Sequence, residues 1–227
     1  NAELPFAGHP TIGTAHALIE AGRIRPKDGA LVQQCGKGLI RLDLSREPDG
    51  ARWISFDLPE PKHALLGPGQ REELESLLGA PVKRDSAPLV VDVGPRWVVV
   101  QLENARTVLA LHPDLQCMKV QDEANGFTGV VVFGEHERGH AARIEVRAFA
   151  PAHGVDEDPV CGSGNGAVAA FLRYSGQLAF EGEFLASQGA VVGRAGIIRL
   201  MVRPDRIQVG GNAVTCVDGQ LDCRSGV

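Results

Sequence analysis

The sequence predicts an α+β fold made of two pseudo-symmetric lobes, each a curled β-sheet wrapped around one central helix. Three observations carry this prediction. Strand-like runs dominate the chain, only three segments have a convincing helical pattern, and two of those three are apolar around nearly their whole circumference. A helix that is apolar on every side is buried, and a buried helix among many strands indicates a sheet curled around it.

Short runs that are β-branched or alternate between apolar and polar residues predict the strands, and Gly, Pro, Asp or Asn separates most of them. They fall at 31–34, 38–45, 51–58, 88–93, 96–102, 129–134, 142–150, 196–203, 206–210 and 213–217. Helices are expected at 10–21, 70–79 and 164–175. The middle helix is amphipathic with acids in its first turn, which is typical of a surface helix.

The two apolar helices align with each other. GHPTIGTAHALIEAG at 8–22 matches GSGNGAVAAFLRYSG at 162–176 with an offset of 154, and the first and last glycines of each segment coincide. The shared plan is a glycine turn, a small polar residue, an apolar helix and a terminal glycine, which indicates an internal duplication. We expect residues 1–65 to belong to an N-terminal lobe and 66–227 to form the C-terminal lobe. Since strand-rich sequence precedes only the second helix, the first lobe is expected to be N-terminally truncated.

Composition excludes several classes of function. The net charge is −5 and no basic cluster occurs, which argues against a nucleic-acid partner. No apolar run approaches the roughly 18 residues that span a bilayer. The five cysteines are widely spaced without a CxxC pair, which favours reduced thiols and a cytoplasmic location. No metal site is predicted.

Both apolar helices begin at glycine-rich turns and therefore present unsatisfied N–H groups and the positive end of a helix dipole. Two such ends facing each other between the lobes would bind a carboxylate. His9 and Ser163 occupy equivalent positions in the repeat, and Asp158 lies just before the second helix. Taken singly, each of these residues is more often structural, as a cap or a turn residue. Their occurrence in register favours a functional site.

Two segments resemble the hallmark motifs of the phenazine-biosynthesis PhzF-like isomerase family. They are ELPFAGHPTIGTAHAL at 3–18 and EDPVCGSGNGAVAAFL at 157–172. RAFAP at 147–151, QGAVVGRAG at 188–196 and VGGNAV at 209–214 also fit its pattern, in the same order. The family is similar in fold to diaminopimelate epimerase, which has two pseudo-symmetric lobes with the active site between them.

The resemblance implies a cofactor-independent isomerase that moves a proton on a small carboxylate-bearing metabolite. His9, Asp158 and Ser163 match the catalytic positions of the family. The residues expected to bind the substrate are Gly8, Gly162, Gly164 and Cys161. The resemblance also implies a homodimer.

Two departures from the pattern keep alternatives open. The principal glutamate of the family lies upstream of the GHP segment, where the printed sequence has no counterpart, and Glu3 is the nearest carboxylate. The epimerase relatives use one cysteine before each glycine turn, whereas here Ala7 stands opposite Cys161. One alternative is therefore an amino-acid or imino-acid epimerase or racemase that uses Cys161 with a non-thiol partner. The other is a non-catalytic ligand-binding member of the fold.

Overall fold

The computed structural model describes residues 5–48, 50–178 and 182–219 of the chain, where it forms five α-helices and twelve β-strands. The helices are α1 (Gly8–Glu20), α2 (Gln70–Leu78), α3 (Ala105–Leu109), α4 (Leu115–Asn125) and α5 (Gly162–Tyr174). The strands are β1 (Ala30–Cys35), β2 (Gly38–Arg46), β3 (Arg52–Asp57), β4 (Lys62–Leu65), β5 (Leu89–Asp92), β6 (Arg96–Gln101), β7 (Gly129–Glu135), β8 (Ile144–Ala150), β9 (Val155–Asp158), β10 (Gly182–Gln188), β11 (Gly196–Val202) and β12 (Ile207–Gly211).

The strands form one sheet in the order β1-β2-β3-β12-β11-β10-β8-β7-β6-β5-β4, and β9 pairs with β8 as a side branch. Neighbouring strands along this path are antiparallel except in the β6–β7 and β8–β10 pairs. Helix α5 contacts β12 and β11, the fourth and fifth strands of this path, and also β7, β6 and β5, the eighth to tenth. The sheet therefore curls around α5.

The helix repeat predicted from the sequence is present. Helices α1 and α5 both have 13 residues and begin 154 positions apart, at Gly8 and Gly162. After each helix the chain reverses at a glycine with positive φ, 66° at Gly22 and 70° at Gly176. Only glycine adopts this left-handed conformation without steric cost, which is why both helices end there.

The two helices differ in burial. Ten of the 13 residues of α5 are buried, from Ser163 to Leu172, as expected for a central helix. In α1 only Gly8, Thr11 and Ala15 are buried, and the Leu18 side chain is 38% exposed. The expectation that α1 is equally buried is therefore wrong for the described residues. Its main contacts are with β3, β12 and the start of α5, so the structure covers it mainly on one side.

Helices α2, α3 and α4 form an outer layer over a second apolar cluster, which includes Leu74, Val100, Val108 and Met118. Helix α2 was predicted from the sequence, whereas α3 and α4 were missed. Local signals for both were present. Asn104 and Asp114 cap the two helices by accepting backbone N–H bonds, at 2.9 Å from Thr107 and 3.0 Å from Cys117.

Most strand predictions are confirmed, with one error and three omissions. Strands β4, β9 and β10 were missed. Segment 213–217 was predicted as a strand, but within the described residues it has no ladder partner. Instead it lies beside α1, where the Thr215 hydroxyl is 3.2 Å from Nε2 of His16 and also bonds Glu20. The β-branched residues Val214, Thr215 and Val217 produced the strand pattern, yet the Val214 and Val217 side chains are more than 80% exposed.

The proposed division at residue 65 stays a prediction. Strand β3 pairs with β12, so the last described strand of the chain adjoins the N-terminal segment. Strand β4, from Lys62 to Leu65, pairs instead with β5 at the far edge of the sheet.

Candidate active site

The N-termini of α1 and α5 touch. A Cβ atom built on Gly8 would lie 3.2 Å from Cα of Gly162, and the reverse construction gives the same distance. The Phe56 ring lies against both glycines, because either added Cβ would fall within 3.3 Å of its Cζ atom. Only glycine at both positions allows this approach, and it brings two positive helix ends together.

A cavity of ≈ 150 Å³ opens beside this contact. Six of the seven residues predicted for the site contribute to its wall, namely Gly8, His9, Asp158, Cys161, Gly162 and Ser163. The seventh, Gly164, is outside the lining, and its N–H is donated to Sγ of Cys161 at 3.3 Å. The structure thus gathers residues from two segments about 150 positions apart in the sequence.

The three neighbouring acids Asp156, Glu157 and Asp158 have different environments. Asp156 is exposed at the surface. Glu157 forms a bidentate ion pair with Arg147, whose Nε and Nη2 atoms donate to the carboxylate at 2.9 and 2.8 Å. Asp158 alone reaches the cavity, so it is the carboxylate of this run that can act on a ligand there.

Arg147 belongs to the RAFAP segment in β8, and its side chain binds Glu157 of the neighbouring strand β9. Both partners of the ion pair are buried, with side-chain exposures of 4% for Arg147 and 9% for Glu157. Nη1 of Arg147 also donates to the carbonyls of Val108 and Leu111, at 3.1 and 2.8 Å. These bonds tie β9 to β8 and α3, next to the residue that enters the cavity.

Ser163 is oriented by Trp97. Nε1 of the indole donates to the Ser163 hydroxyl at 3.1 Å, and both residues are buried at the cavity wall. An indole N–H can only donate, so Ser163 accepts this bond and keeps its own proton to give. Among the described residues, Sγ of Cys161 also lies within hydrogen-bond range of the Ser163 hydroxyl oxygen, at 3.7 Å. Ser163 can therefore donate to a ligand oxygen.

His9 is exposed at the junction of two cavities. Its Nδ1 atom lies 3.3 Å from the carbonyl oxygen of Val160. Since a carbonyl can only accept, this contact requires the proton on Nδ1 and leaves Nε2 of the neutral ring as an acceptor. The same bond connects the first turn of α1 to the loop before α5.

Cys161 is a helix cap rather than a reactive thiol. Burial, together with the nearby Asp158 charge, raises the pKa of its thiol to about 12. Its Sγ atom accepts the N–H of Gly164, which caps α5. A thiol needs to lose its proton before it can attack or remove a proton from carbon, and this one is held in the neutral form.

Several residues of the cavity wall were not predicted from the sequence. They include Phe6, Pro95, Trp97, Thr128, Ala150 and His153. The side chains of Pro95, Trp97 and Thr128 come from segments with no recognised motif. Ala150 and His153 lie in or just after RAFAP, so a closer inspection of that segment could have suggested them.

A larger cavity of ≈ 620 Å³ adjoins the first and shares His9 and Gly162 with it. Its wall is made largely of glycine and aliphatic side chains from α1, β11 and β12, including Ile12, Ile198 and Val209. Asp158 and Ser163 line the smaller cavity and not this one. The smaller cavity is therefore the better candidate for proton transfer.

Elsewhere in the described part of the chain, His136 and His140 are four positions apart, a spacing that can bind zinc on a helix and that the sequence analysis overlooked. Here they lie in a loop and their rings stack at 3.7 Å. No group of three or more His, Cys, Asp and Glu residues in the described ranges has metal-binding geometry. The four cysteines within those ranges are free thiols.

The helices within the described residues are too short or too polar to cross a bilayer. Glu3, the nearest carboxylate to the expected upstream position, lies outside the described residues.

Comparison with known proteins adds the family. Residues 1–219 match the family model described as PhzC-PhzF, phenazine biosynthesis-like protein. The chain is 39% identical over 226 residues to Antisense-enhancing sequence 1 of Schizosaccharomyces pombe, across 96% of this chain and 75% of that protein. It is 33% identical over 227 residues to trans-2,3-dihydro-3-hydroxyanthranilate isomerase of Pseudomonas chlororaphis, with the same two coverages of 96% and 75%.

Among solved structures, a PhzF-family phenazine biosynthesis protein of Bacillus anthracis aligns with a TM-score of 0.81 at 21% identity, over 94% of this chain and 75% of that one. This likeness confirms the predicted α+β fold with a curled sheet. The fold and the named relatives together define the chain as an isomerase. It belongs to the PhzC-PhzF family of phenazine biosynthesis-like proteins, as the two hallmark segments predicted.

Proposed function

We propose that this chain is a cofactor-independent isomerase that moves a proton between carbon atoms of a small carboxylate-bearing metabolite. The observation that carries the proposal is the contact between Gly8 and Gly162, which joins two helix N-termini beside a cavity lined by Asp158, His9 and Ser163. Each helix start presents N–H groups without an intrahelical acceptor, and together they favour an anion. The substrate carboxylate binds there.

Each polar group then has a distinct role. The Asp158 carboxylate takes a proton from one carbon of the bound substrate, and the carboxylic acid so formed returns a proton to another carbon of the same π system, so that no redox partner is required. Ser163 donates its proton to a substrate oxygen, since Trp97 occupies its accepting side. His9 accepts a hydrogen bond from the substrate through Nε2, because its Nδ1 atom donates to the Val160 carbonyl.

The test uses trans-2,3-dihydro-3-hydroxyanthranilate, the compound named in the isomerase relative, in D₂O. We expect the wild-type chain to isomerise it with deuterium incorporated at carbon. Asp158→Asn should lower kcat by about 10²- to 10⁴-fold with the fold intact. Asp156→Asn removes a charge from the exposed position two residues earlier and serves as the control. A rate for Asp158→Asn equal to the wild-type rate would refute the role of Asp158.

The epimerase alternative depends on Cys161, and the structure holds that thiol neutral and buried. Deuterium incorporation at a stereocentre of an amino or imino acid that disappears in Cys161→Ala would establish it. The ligand-binding alternative makes a different prediction, namely binding of the aromatic analogue 3-hydroxyanthranilate in the cavity together with no proton exchange on the dihydro compound.

We also propose that the chain forms a homodimer, which the family resemblance implies, and that it is cytoplasmic, which the widely spaced cysteines without a CxxC pair favour. Light scattering after size-exclusion chromatography measures the mass of the assembly, and a monomer mass across the micromolar range would contradict the dimer.

A further inference from the structure

The turn that carries Asp158 into the cavity rests on the end of the β10–β11 hairpin, and Gln188 makes the central contacts. Gln188 is the last residue of β10, is 1% exposed and does not line the cavity. Its Nε2 atom donates to the carbonyl oxygen of Asp158 at 2.6 Å. Its Oε1 atom accepts the N–H of Cys161 at 3.1 Å and the amide of Asn165 at 2.7 Å. One side chain therefore links Asp158 to the first turn of α5.

The backbone of Gln188 is itself held from both sides. It pairs with Val146 of β8 in the parallel ladder and with Gly196 of β11 in the antiparallel ladder. A glutamine fixed between two strands has little freedom to release the turn. The three hydrogen bonds of its side chain thus transmit the position of the sheet to Asp158.

Two glycines allow the turn to lie this close. A Cβ atom on Gly189 would fall 2.5 Å from the Pro159 carbonyl oxygen, and Gly189 also has a φ of +94°. A Cβ atom on Gly196 would fall 2.5 Å from Cγ2 of Val160. Because no side chain separates the hairpin from the turn, the position of the hairpin backbone determines the position of the turn.

We propose that Gln188 is a positioning residue for proton transfer, and that with Gly189 and Gly196 it sets the place of Asp158 relative to the N-terminus of α5. The inference rests on the proposed function, in which Asp158 moves the proton. Gln188 acts through Asp158 and Cys161 and has no contact with the cavity. The QGAVVGRAG segment at 188–196 is accordingly a cradle for the Asp158 turn.

The decisive variant is Gln188→Glu. The introduced carboxyl keeps the two accepting contacts, to Cys161 and Asn165. When protonated, its O–H can replace the amide as donor to the Asp158 carbonyl; when ionised, two acceptor oxygens face each other and repel. We expect activity close to wild type at acidic pH that falls as pH rises, with one ionisation in the pH–rate profile that wild type lacks. A merely structural glutamine would not create that ionisation.

Gln188→Met removes all three contacts at every pH, and we expect kcat/KM to fall by about 100-fold without the added ionisation. Gln101→Met is the matched control, since Gln101 is also a buried glutamine at the end of a strand and is 2% exposed.

A second pair of variants tests the close packing of the hairpin against the Asp158 turn. Gly196→Ala should lower kcat/KM, whereas Gly182→Ala at the other end of the hairpin meets no described residue within 4 Å and should not.

A substrate-independent measurement separates this inference from the proposed function. Loss of the Gln188 hydrogen bonds or of the close packing at Gly196 should expose Cys161. Its alkylation by N-ethylmaleimide, followed by peptide mass spectrometry, should therefore be faster in Gln188→Met and Gly196→Ala than in wild type. Faster labelling of the variants together with an inactive wild type would support the role of Gln188 and Gly196 in positioning the Asp158 turn, and would refute the proposed function. Unchanged labelling in both variants, or an active Gln188→Glu with a wild-type pH profile, would overturn the role of Gln188.

Discussion

Gly8 and Gly162 are in backbone contact although 154 residues separate them, and the Phe56 ring closes the space on one side. This contact sets the distance between the two helix N-termini and therefore the width of the proposed anion site.

Gly8→Ala should separate the helix starts. The added methyl would meet Cζ of Phe56 at 2.7 Å and Cα of Gly162 at 3.2 Å, so we expect a loss of about 1–3 kcal/mol in the free energy of unfolding and weaker binding of 3-hydroxyanthranilate. Urea denaturation and calorimetric titration measure the two effects. Gly13→Ala in the same helix meets nothing within 4 Å and should instead stabilise by about 0.5–1 kcal/mol. Equal behaviour of the two variants would contradict the close contact.

The three consecutive acids should separate by experiment. Glu157→Ala leaves the Arg147 guanidinium buried without its carboxylate, and we expect a destabilisation of about 3–5 kcal/mol. Asp156→Ala, at an exposed position, should change the free energy of unfolding by no more than about 0.5 kcal/mol. Thermal and urea unfolding of both variants check this. A small effect of Glu157→Ala would show that the buried ion pair is not formed.

Trp97→Phe should impair catalysis more than its loss of stability explains. The variant removes the indole N–H that bonds the Ser163 hydroxyl at 3.1 Å, so Ser163 can rotate away from the ligand. We expect kcat/KM to fall by about 10-fold, which corresponds to one hydrogen bond of about 1.4 kcal/mol. Trp53→Phe is the control, because Trp53 is also buried but stacks on Arg199, at 4.2 Å, and does not line the cavity. Equal activity losses in both variants would point to packing alone.

Asp122 should make stability depend on pH. Burial in the outer layer raises the pKa of its carboxyl from 3.8 to about 7, and its Oδ2 atom lacks a hydrogen-bond partner among the residues that the structure describes. Between about pH 4 and 7 the unfolded chain releases this proton while the folded chain retains it, so the free energy of unfolding falls as pH rises, by up to about 1.4 kcal/mol per unit.

Asp122→Asn should flatten this part of the pH profile and be more stable than wild type at pH 8, as urea denaturation at a series of pH values would show. Glu123→Gln removes the same charge from the exposed neighbouring position and should keep the wild-type slope. If Asp122→Asn retained the full slope, another group would have to be its source.

Much of the fold could be predicted from local pattern. Helices α1 and α5 were identified because each has a glycine turn followed by an apolar helical run, all within a segment of about 15 residues. The same plan recurs in the second segment at a constant offset. Strands β1, β2 and β7 followed from alternation or β-branched runs in the same way. Segment 213–217 shows the limit of this approach, since a β-branched run does not provide a neighbouring strand for Val214 and Val217.

The sequence by itself determined the starts of α1 and α5 to within two residues, the equivalent positions of His9 and Ser163 in the repeat, and the family. Tertiary structure decided which acid of 156–158 enters the cavity, that Trp97 orients Ser163, and that Gln188 clamps Asp158 to α5. It also decided that Cys161 is buried and that α1 is only partly buried. The physical reason is distance along the chain. Burial, ion pairing and hydrogen bonding here depend on residues that approach from 10 to 154 positions away, and no local pattern records those contacts.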